Sequence, residues 1–362
     1  MAVSGTVSTT QFNTMKVIDH AFRRCRMLPQ QVTSEMILIA KDNLYLLLSS
    51  LGSIGVPLWC IEKEILPLYI GQAVVTPSKG TMDILNANYR WLTRQNGPVQ
   101  YSSAGGIVEY AFDGDLDTAC TQTSINGNIE ISFIGSDPIL DPQPAVQVTT
   151  VGIMMATTGT FNLNFEWSND GVTWTSCLIP GATVYTAGRW KWYDIDGTVP
   201  VNYFRMRETG GNTLNVVEFY ASNNPTEIPL ARMNRDDWTN FPNKTFQGRP
   251  LQYWFDRQRD YPTMQIWPVT DSTSMFGQFV IWKQRYIMDV GAVTDELDIP
   301  QRWYETIVWQ LSWRLAMELP NFDMTLLPSI KQTADESLKI AHDEERDNSP
   351  IYFTPNISPY TR

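Results

Sequence analysis

Two breaks divide this chain more sharply than any other feature: Asn96-Gly97-Pro98 and Asn223-Asn224-Pro225. Between them helical spacing disappears. Short apolar and aromatic runs (Ile129–Phe133, Thr150–Met155, Asn162–Trp167, Trp190–Ile195, Tyr203–Arg207 and Asn215–Tyr220) recur there, separated by Gly, Asn and Asp turns, the pattern of a β-sandwich. Asn and Pro at both ends, with Gly at the first, mark a whole domain, residues 98–224, placed in a loop of a host fold. The host is then 1–97 and 225–348, followed by a tail, 349–362. The expected class is α+β: a helical core with a small β element, interrupted by an all-β jelly-roll insert and ending in an extended arm.

The host opens in helices. From Gln11 to Met27, Met15, Ile18, Phe22 and Cys25 recur at three- and four-residue steps, with Arg23, Arg24 and Arg26 on other faces, and Pro29 ends the run. Ser34 is placed to cap a second helix through Ser50, striped by Met36, Ala40, Leu44, Leu47 and Leu51 and closed by Gly52 and Gly55. Leu58–Val75 breaks into short β runs, and Thr81–Leu92 fits a strand or a short helix. After the insert come three aromatic-rich β runs, Leu251–Phe255, Met264–Pro268 and Gln278–Ile287. The last alternates so loosely that it suits burial on both faces or at an interface.

Pro300 opens a helix with two apolar faces, one marked by Trp303, Ile307, Leu311 and Leu315, the other by Trp309, Trp313, Ala316 and Met317. Such a helix must be covered on two sides, which makes Trp303, Trp309 and Trp313 candidates for a subunit interface. Pro320 stops it, and Ser329–Arg346 is a more polar, exposed last helix. The tail spaces Ile351, Tyr352, Phe353, Ile357 and Tyr360 between three prolines. It reads as an extended arm that binds a neighbour, with a disordered end as the alternative.

Charge is concentrated in the insert. The formal net charge is −11, and thirteen acids face four bases between Pro98 and Asn223, leaving the rest close to neutral. No part is a basic nucleic-acid binder. Thirteen Trp suit either extensive subunit interfaces or a β-rich core. Cys25, Cys60, Cys120 and Cys177 form no CxxC and read as reduced core thiols, a Cys120–Cys177 bridge being the alternative. Met1–Thr14 lacks an apolar stretch and no run is long enough to span a bilayer, so neither a signal peptide nor a membrane partner is expected.

The two histidines, His20 and His342, stand at no metal spacing, and GxSxG, Walker, HExxH and strand-following GxGxxG motifs are missing. A non-enzymatic role is expected, although carboxylates distant in sequence can pair in space for glycosidic chemistry. Ala111-Phe-Asp-Gly-Asp-Leu-Asp-Thr118 sets carboxylates at alternate positions around a glycine. Such closely spaced hard oxygens suit calcium; an Asx-type turn without metal is the other reading.

That turn, with Trp167-Ser-Asn-Asp-Gly-Val-Thr-Trp174, Phe204-Arg-Met-Arg-Glu-Thr-Gly-Gly211 and Leu214-Asn-Val-Val-Glu-Phe-Tyr220 in this order, resembles the discoidin-like, galactose-binding-domain superfamily of coagulation-factor type C domains and carbohydrate-binding modules. The resemblance implies a structural calcium held by Asp113, Asp115, Thr118 and Glu218, and ligand loops at one end of the sandwich. The tryptophan usual after the first motif is Cys120 here. Trp190 and Trp192, beside Arg189 and Lys191, are the candidate glycan platforms; their alternation along a strand fits core or inter-sheet packing equally well.

The joined host resembles the head-to-tail adaptor (tail accessory factor, or packaged-DNA-stabilisation) proteins of short-tailed bacteriophages. The carrying residues are Leu58-Trp-Cys-Ile-Glu62, Gly71, Asp83-Ile-Leu-Asn-Ala87 with Arg90, Ala231-Arg-Met-Asn-Arg-Asp-Asp-Trp238, Pro242 to Trp254 with Asp256-Arg257, and Pro300-Gln-Arg-Trp-Tyr304. The resemblance implies a structural protein of the virion head–tail junction, assembled in a host cytoplasm as a ring, a dodecamer, below the portal. Its partners would be the portal protein, tail nozzle and other tail proteins, sibling chains, and double-stranded DNA passing through the lumen without specific binding. The arm would reach the portal or an adjacent subunit, and no cofactor is required. The alternatives are a carbohydrate-recognition virion protein acting through the insert and a peptidoglycan-degrading virion enzyme.

Overall fold

The chain runs α1 (Thr14–Arg24), α2 (Ser34–Ile54), β1 (Ile61–Pro67), β2 (Val74–Val75) and β3 (Thr81–Trp91) before the insert. The insert contributes β4 (Gln100–Ser103), β5 (Cys120–Ile125), β6 (Asn128–Ser132), β7 (Thr150–Met155), β8 (Gly159–Ser168), β9 (Thr175–Tyr185), β10 (Trp190–Asp194), β11 (Tyr203–Glu208) and β12 (Thr213–Ser222). The host resumes with β13 (Thr226–Pro229), β14 (Ala231–Arg232), α3 (Arg235–Asn240), β15 (Gln252–Asp256), β16 (Thr263–Trp267), β17 (Gln278–Arg285), α4 (Tyr304–Glu318) and α5 (Leu327–Glu344). The computed structural model describes residues 12–54, 58–91, 100–133, 145–196, 199–222, 226–271, 277–320 and 322–345. They fall into two compact units, Met1–Glu62 with Gln284–Arg362, and Lys63–Lys283.

In the first unit Asn13 caps α1 by accepting from the Lys16 amide, and Arg23 and Arg24 complement the C-terminal dipole. A Schellman turn closes this helix: Met27 N donates to Phe22 O and Arg26 N to Arg23 O, with Arg26 at φ +60°. α2 runs on through Gly52 because Ala40, Leu44, Leu47, Leu48 and Leu51 are buried, and that packing outweighs the weak helix propensity of one glycine. α4 is the centre of the bundle, in contact with α1, α2 and α5. The face of Trp303, Ile307, Leu311 and Leu315 is buried among helices of the same chain, whereas on the other face Trp309 and Trp313 are half-buried and Met317 is exposed. For the Trp303 face no neighbour is needed, contrary to the expectation from sequence.

The host portion of the second unit is more β-rich than the small element expected. Two four-stranded sheets, ordered β1-β17-β3-β13 and β14-β15-β16-β2, share one core. Leu66, Ile84, Tyr89, Phe279 and Ile281 come from the first sheet, and Val75, Tyr253, Phe255, Met264 and Ile266 from the second. The ambiguous Thr81 run is a strand through Trp91, and β17 is buried at every residue except Trp282 and Arg285.

The insert is a two-sheet antiparallel sandwich, β10-β7-β12-β5 against β4-β6-β11-β8-β9. Val151, Ile153, Met155, Val216 and Phe219 meet Ile129, Ile131, Leu163, Phe165, Phe204 and Met206 across the core. β4, β5 and β9 have no counterpart among the runs picked out in the sequence; Thr and Gln dilute β5 and Pro180-Gly181 interrupts β9.

Candidate functional site

The aspartate turn forms as a hydrogen-bonded Asx turn. Asp113 Oδ1 accepts from Asp115 N (2.8 Å) and Asp113 Oδ2 from Thr118 Oγ1 (2.8 Å), while Thr118 Oγ1 also reaches Asp115 O at 3.1 Å. Glu218, 1% exposed, takes the Gly114 amide. Each Asp113 oxygen accepts one hydrogen bond from the same turn. Among the described residues no three His, Cys, Asp or Glu side chains converge as metal ligands. Asp113, Asp115, Thr118 and Glu218, the set that the resemblance assigns to calcium, are joined here by hydrogen bonds within and onto this turn.

Trp190 and Trp192 are 5% and 7% exposed and stack on each other with centroids 4.7 Å apart. With Met154, Val217 and Tyr220 they form the outer face of the β10-β7-β12-β5 sheet, which packs on Ile65 and Tyr69 of the host. The Trp190 amide donates to Tyr69 Oη (3.0 Å), and the Arg189 guanidinium lies 4.7 Å from the Tyr69 ring centre. Gly152 lets the Trp192 ring lie on the strand backbone; a Cβ there would come within 2.2 Å of it. These indoles have no open face for a sugar. They seat the sandwich on its host.

A charged cluster completes this seam. Arg90, 3% exposed, binds Asp194 of the sandwich (2.5 Å) and Glu227 (2.6 Å), and Lys63 pairs with the same Asp194. Burial alone would raise the Asp194 carboxyl, but Arg90 and Lys63 hold it below the usual range.

The opposite sheet, β4-β6-β11-β8-β9, turns a different surface outward. Register sets Arg205 between Glu130 and Glu166, and Arg207 between Asn128 and Asn164. Arg205 binds Glu166 at 2.5 Å and lies 3.9 Å over the Trp174 ring. Asn164 Nδ2 donates to Glu166 Oε1 (2.7 Å) and Ser176 Oγ (2.9 Å), which leaves its buried Oδ1 without a protein donor. Burial pushes the Glu130 carboxyl up, against the pull of Arg205. A guanidinium, carboxylates, an amide with an unpartnered buried acceptor and the Trp174 ring thus lie together on this sheet. The Arg205–Arg207 and Asn162–Glu166 alternations put these side chains on one side of the sheet; their convergence on Trp174 was not legible.

In the helical unit Trp303 is 2% exposed and donates to Glu345, so it is core and unavailable to a neighbour. Trp309 and Trp313 are half-buried, under Arg24 (4.0 Å) and Lys331 (5.5 Å) respectively. The four cysteines are unpaired, and burial pushes the Cys25, Cys60 and Cys177 thiols up to about 11. His20 packs on Phe12 and His342 meets Trp303 edge-on. The arm residues Ile351, Tyr352, Phe353, Ile357 and Tyr360 lie outside the described residues. No described helix is long and apolar enough to cross a membrane.

No protein-family model matches the chain, and no curated protein matches it in sequence. Solved structures similar to it include a CBM32 module from Clostridium perfringens in complex with GalNAc-β-1,3-galactose (10% identity, 35% of this chain and 96% of that chain, TM-score 0.29). A CBM62 from Clostridium thermocellum aligns at 16% identity over 38% of this chain and 97% of that one, TM-score 0.30. An F5/8 type C domain from Bacteroides fragilis aligns at 12% identity over 34% and 89%, TM-score 0.28.

Proposed function

We propose that this chain is a non-catalytic recognition protein whose inserted sandwich binds carbohydrate, with the host fold as its mount. The observation that carries the reading is the division of labour between the two sheets. One is spent on the seam. The other brings Asn164, Glu166, Arg205 and Trp174 together, in the combination that hydroxyl-rich ligands require: acceptors and donors beside an aromatic ring. The buried Asn164 Oδ1, which has no protein donor, calls for a hydroxyl or a water. The motif resemblance of the insert to carbohydrate-binding modules points the same way.

A glycan array probed with the full chain, followed by calorimetry, tests this. A binding glycan is expected, with Asn164→Ala and Glu166→Gln each weakening it by about tenfold, the worth of one lost hydrogen bond. No retained glycan, or binding indifferent to both changes, overturns it. The second reading is a head-to-tail adaptor of a short-tailed phage, at the virion head–tail junction. It rests on the host motifs and on the exposed Leu38, Ile39, Tyr45 and Leu46 of α2, apolar surface that an assembly would cover. Co-sedimentation with purified portal rings tests it.

A further inference from the structure

Two rows of side chains cross the middle of the sheet β4-β6-β11-β8-β9, and the fold uses them unequally. In the first, register sets Glu130, Arg205 and Glu166 side by side on β6, β11 and β8. That row is neutralised from within, because Arg205 is bonded to Glu166 and Asn164 donates to the same carboxylate. In the second, two residues along each strand, Asn128, Arg207 and Asn164 stand side by side. Cross-strand partners project to the same face of a sheet, and so do residues two apart on one strand, so both rows share one face. The fold leaves most of the second row unused. Arg207 is exposed, and neither its guanidinium nor the side-chain amide of Asn128 has a partner among the described residues. Asn164 gives its amide hydrogens to Glu166 and Ser176, and its Oδ1 has no protein donor. One cation and no anion therefore lie across about 9.5 Å, two strand spacings.

We propose that this row is a carboxylate subsite, that the glycan taken by the sandwich is a hexuronate, and that Arg207 sets the preference for acid. The inference rests on the reading of the insert as a glycan-binding sandwich and names its class of ligand. A guanidinium offers paired N–H donors in the fork that a carboxylate fills with both oxygens. Asn128 and Asn164 flank it and suit the ring hydroxyls on either side of such a group. Arg205 is not available for the same task, since Glu166 already occupies it. Of the two acids in the neighbouring row, Glu166 is held by Arg205, and burial pushes the Glu130 carboxyl up, which lessens the negative charge an anionic ligand meets. Charge further off on this acidic insert is screened beyond about 8 Å at physiological ionic strength.

The test is an array of galacturonate, mannuronate and glucuronate oligosaccharides, each beside its methyl ester, with neutral glycans alongside, probed with the full chain and followed by calorimetry. The ester keeps every ring hydroxyl and removes only the charge. At least one uronate is expected to bind about tenfold or more tighter than its ester. Arg207→Ala should bring that ratio close to one, and Arg207→Lys, which keeps the charge without the fork, should leave part of it. Asn128→Asp preserves shape and sets a carboxylate beside Arg207, so it should abolish the preference as well. A purely structural role for Arg207 would instead weaken acid and ester alike. A neutral glycan or ester bound as tightly as any uronate, or a ratio indifferent to Arg207→Ala, would overturn this inference and leave the glycan reading standing. A chain that retains no glycan of either charge would sink both.

Discussion

Single atoms decide the seam of the sandwich. Gly152 is there because the Trp192 ring occupies the place of its Cβ. Gly152→Ala is expected to cost about 1–3 kcal/mol through overpacking, read as a lower denaturation midpoint with an unchanged slope. Glu208, fully buried, accepts from the amides of Asn162, Gly210 and Asn212 and from the Asn212 side chain. Burial would raise its carboxyl, but those donors hold it below the usual range. A lowered folded-state pKa contributes stability that is complete above the unfolded value, about 4.3, and is lost as pH falls through the folded one. Glu208→Gln should therefore destabilise at neutral pH and flatten the acid limb of a stability–pH curve; an unchanged limb would show that other carboxylates govern it. Neither role was legible beforehand, because both depend on partners brought from other strands.

Elements were legible where a period was clean. Met15, Ile18, Phe22 and Cys25 foretold α1, and Thr150–Met155 coincides with β7. Two elements misled for opposite reasons. Gly52 looked like a stop, yet burial of Leu51 and its neighbours carries α2 past it. The two apolar faces of α4 looked like a demand for a sibling chain, yet α1, α2 and α5 pack on this helix and bury the Trp303 face. The alternation of Trp190 and Trp192 left platform and packing open; β10 turns both rings toward the host sheet. Between elements, Arg90 is the hinge of the seam's charge balance. Arg90→Ala leaves Asp194 and Glu227 without their shared cation and should cost about 3–5 kcal/mol, measured by chemical denaturation. A loss below about 1 kcal/mol would mark the cluster as a solvated surface pair.

At the scale of the molecule, the strands of the sandwich run from β4 to β12, and the sandwich shares its compact unit with the two host sheets, Lys63–Lys283. Sequence could not show this, since the seam joins Tyr69 and Arg90 to Trp190 and Asp194. The other unit unites the two ends of the chain, and Ser312 Oγ reaches Ala21 O across 291 positions. On a ribosome, roughly 15–60 s separates the appearance of those two residues at ordinary translation rates. Throughout that wait the greasy sides of the first two helices lack the central helix that later shields them, so a nascent chain needs a chaperone, or a temporary partner, well before it needs a ligand.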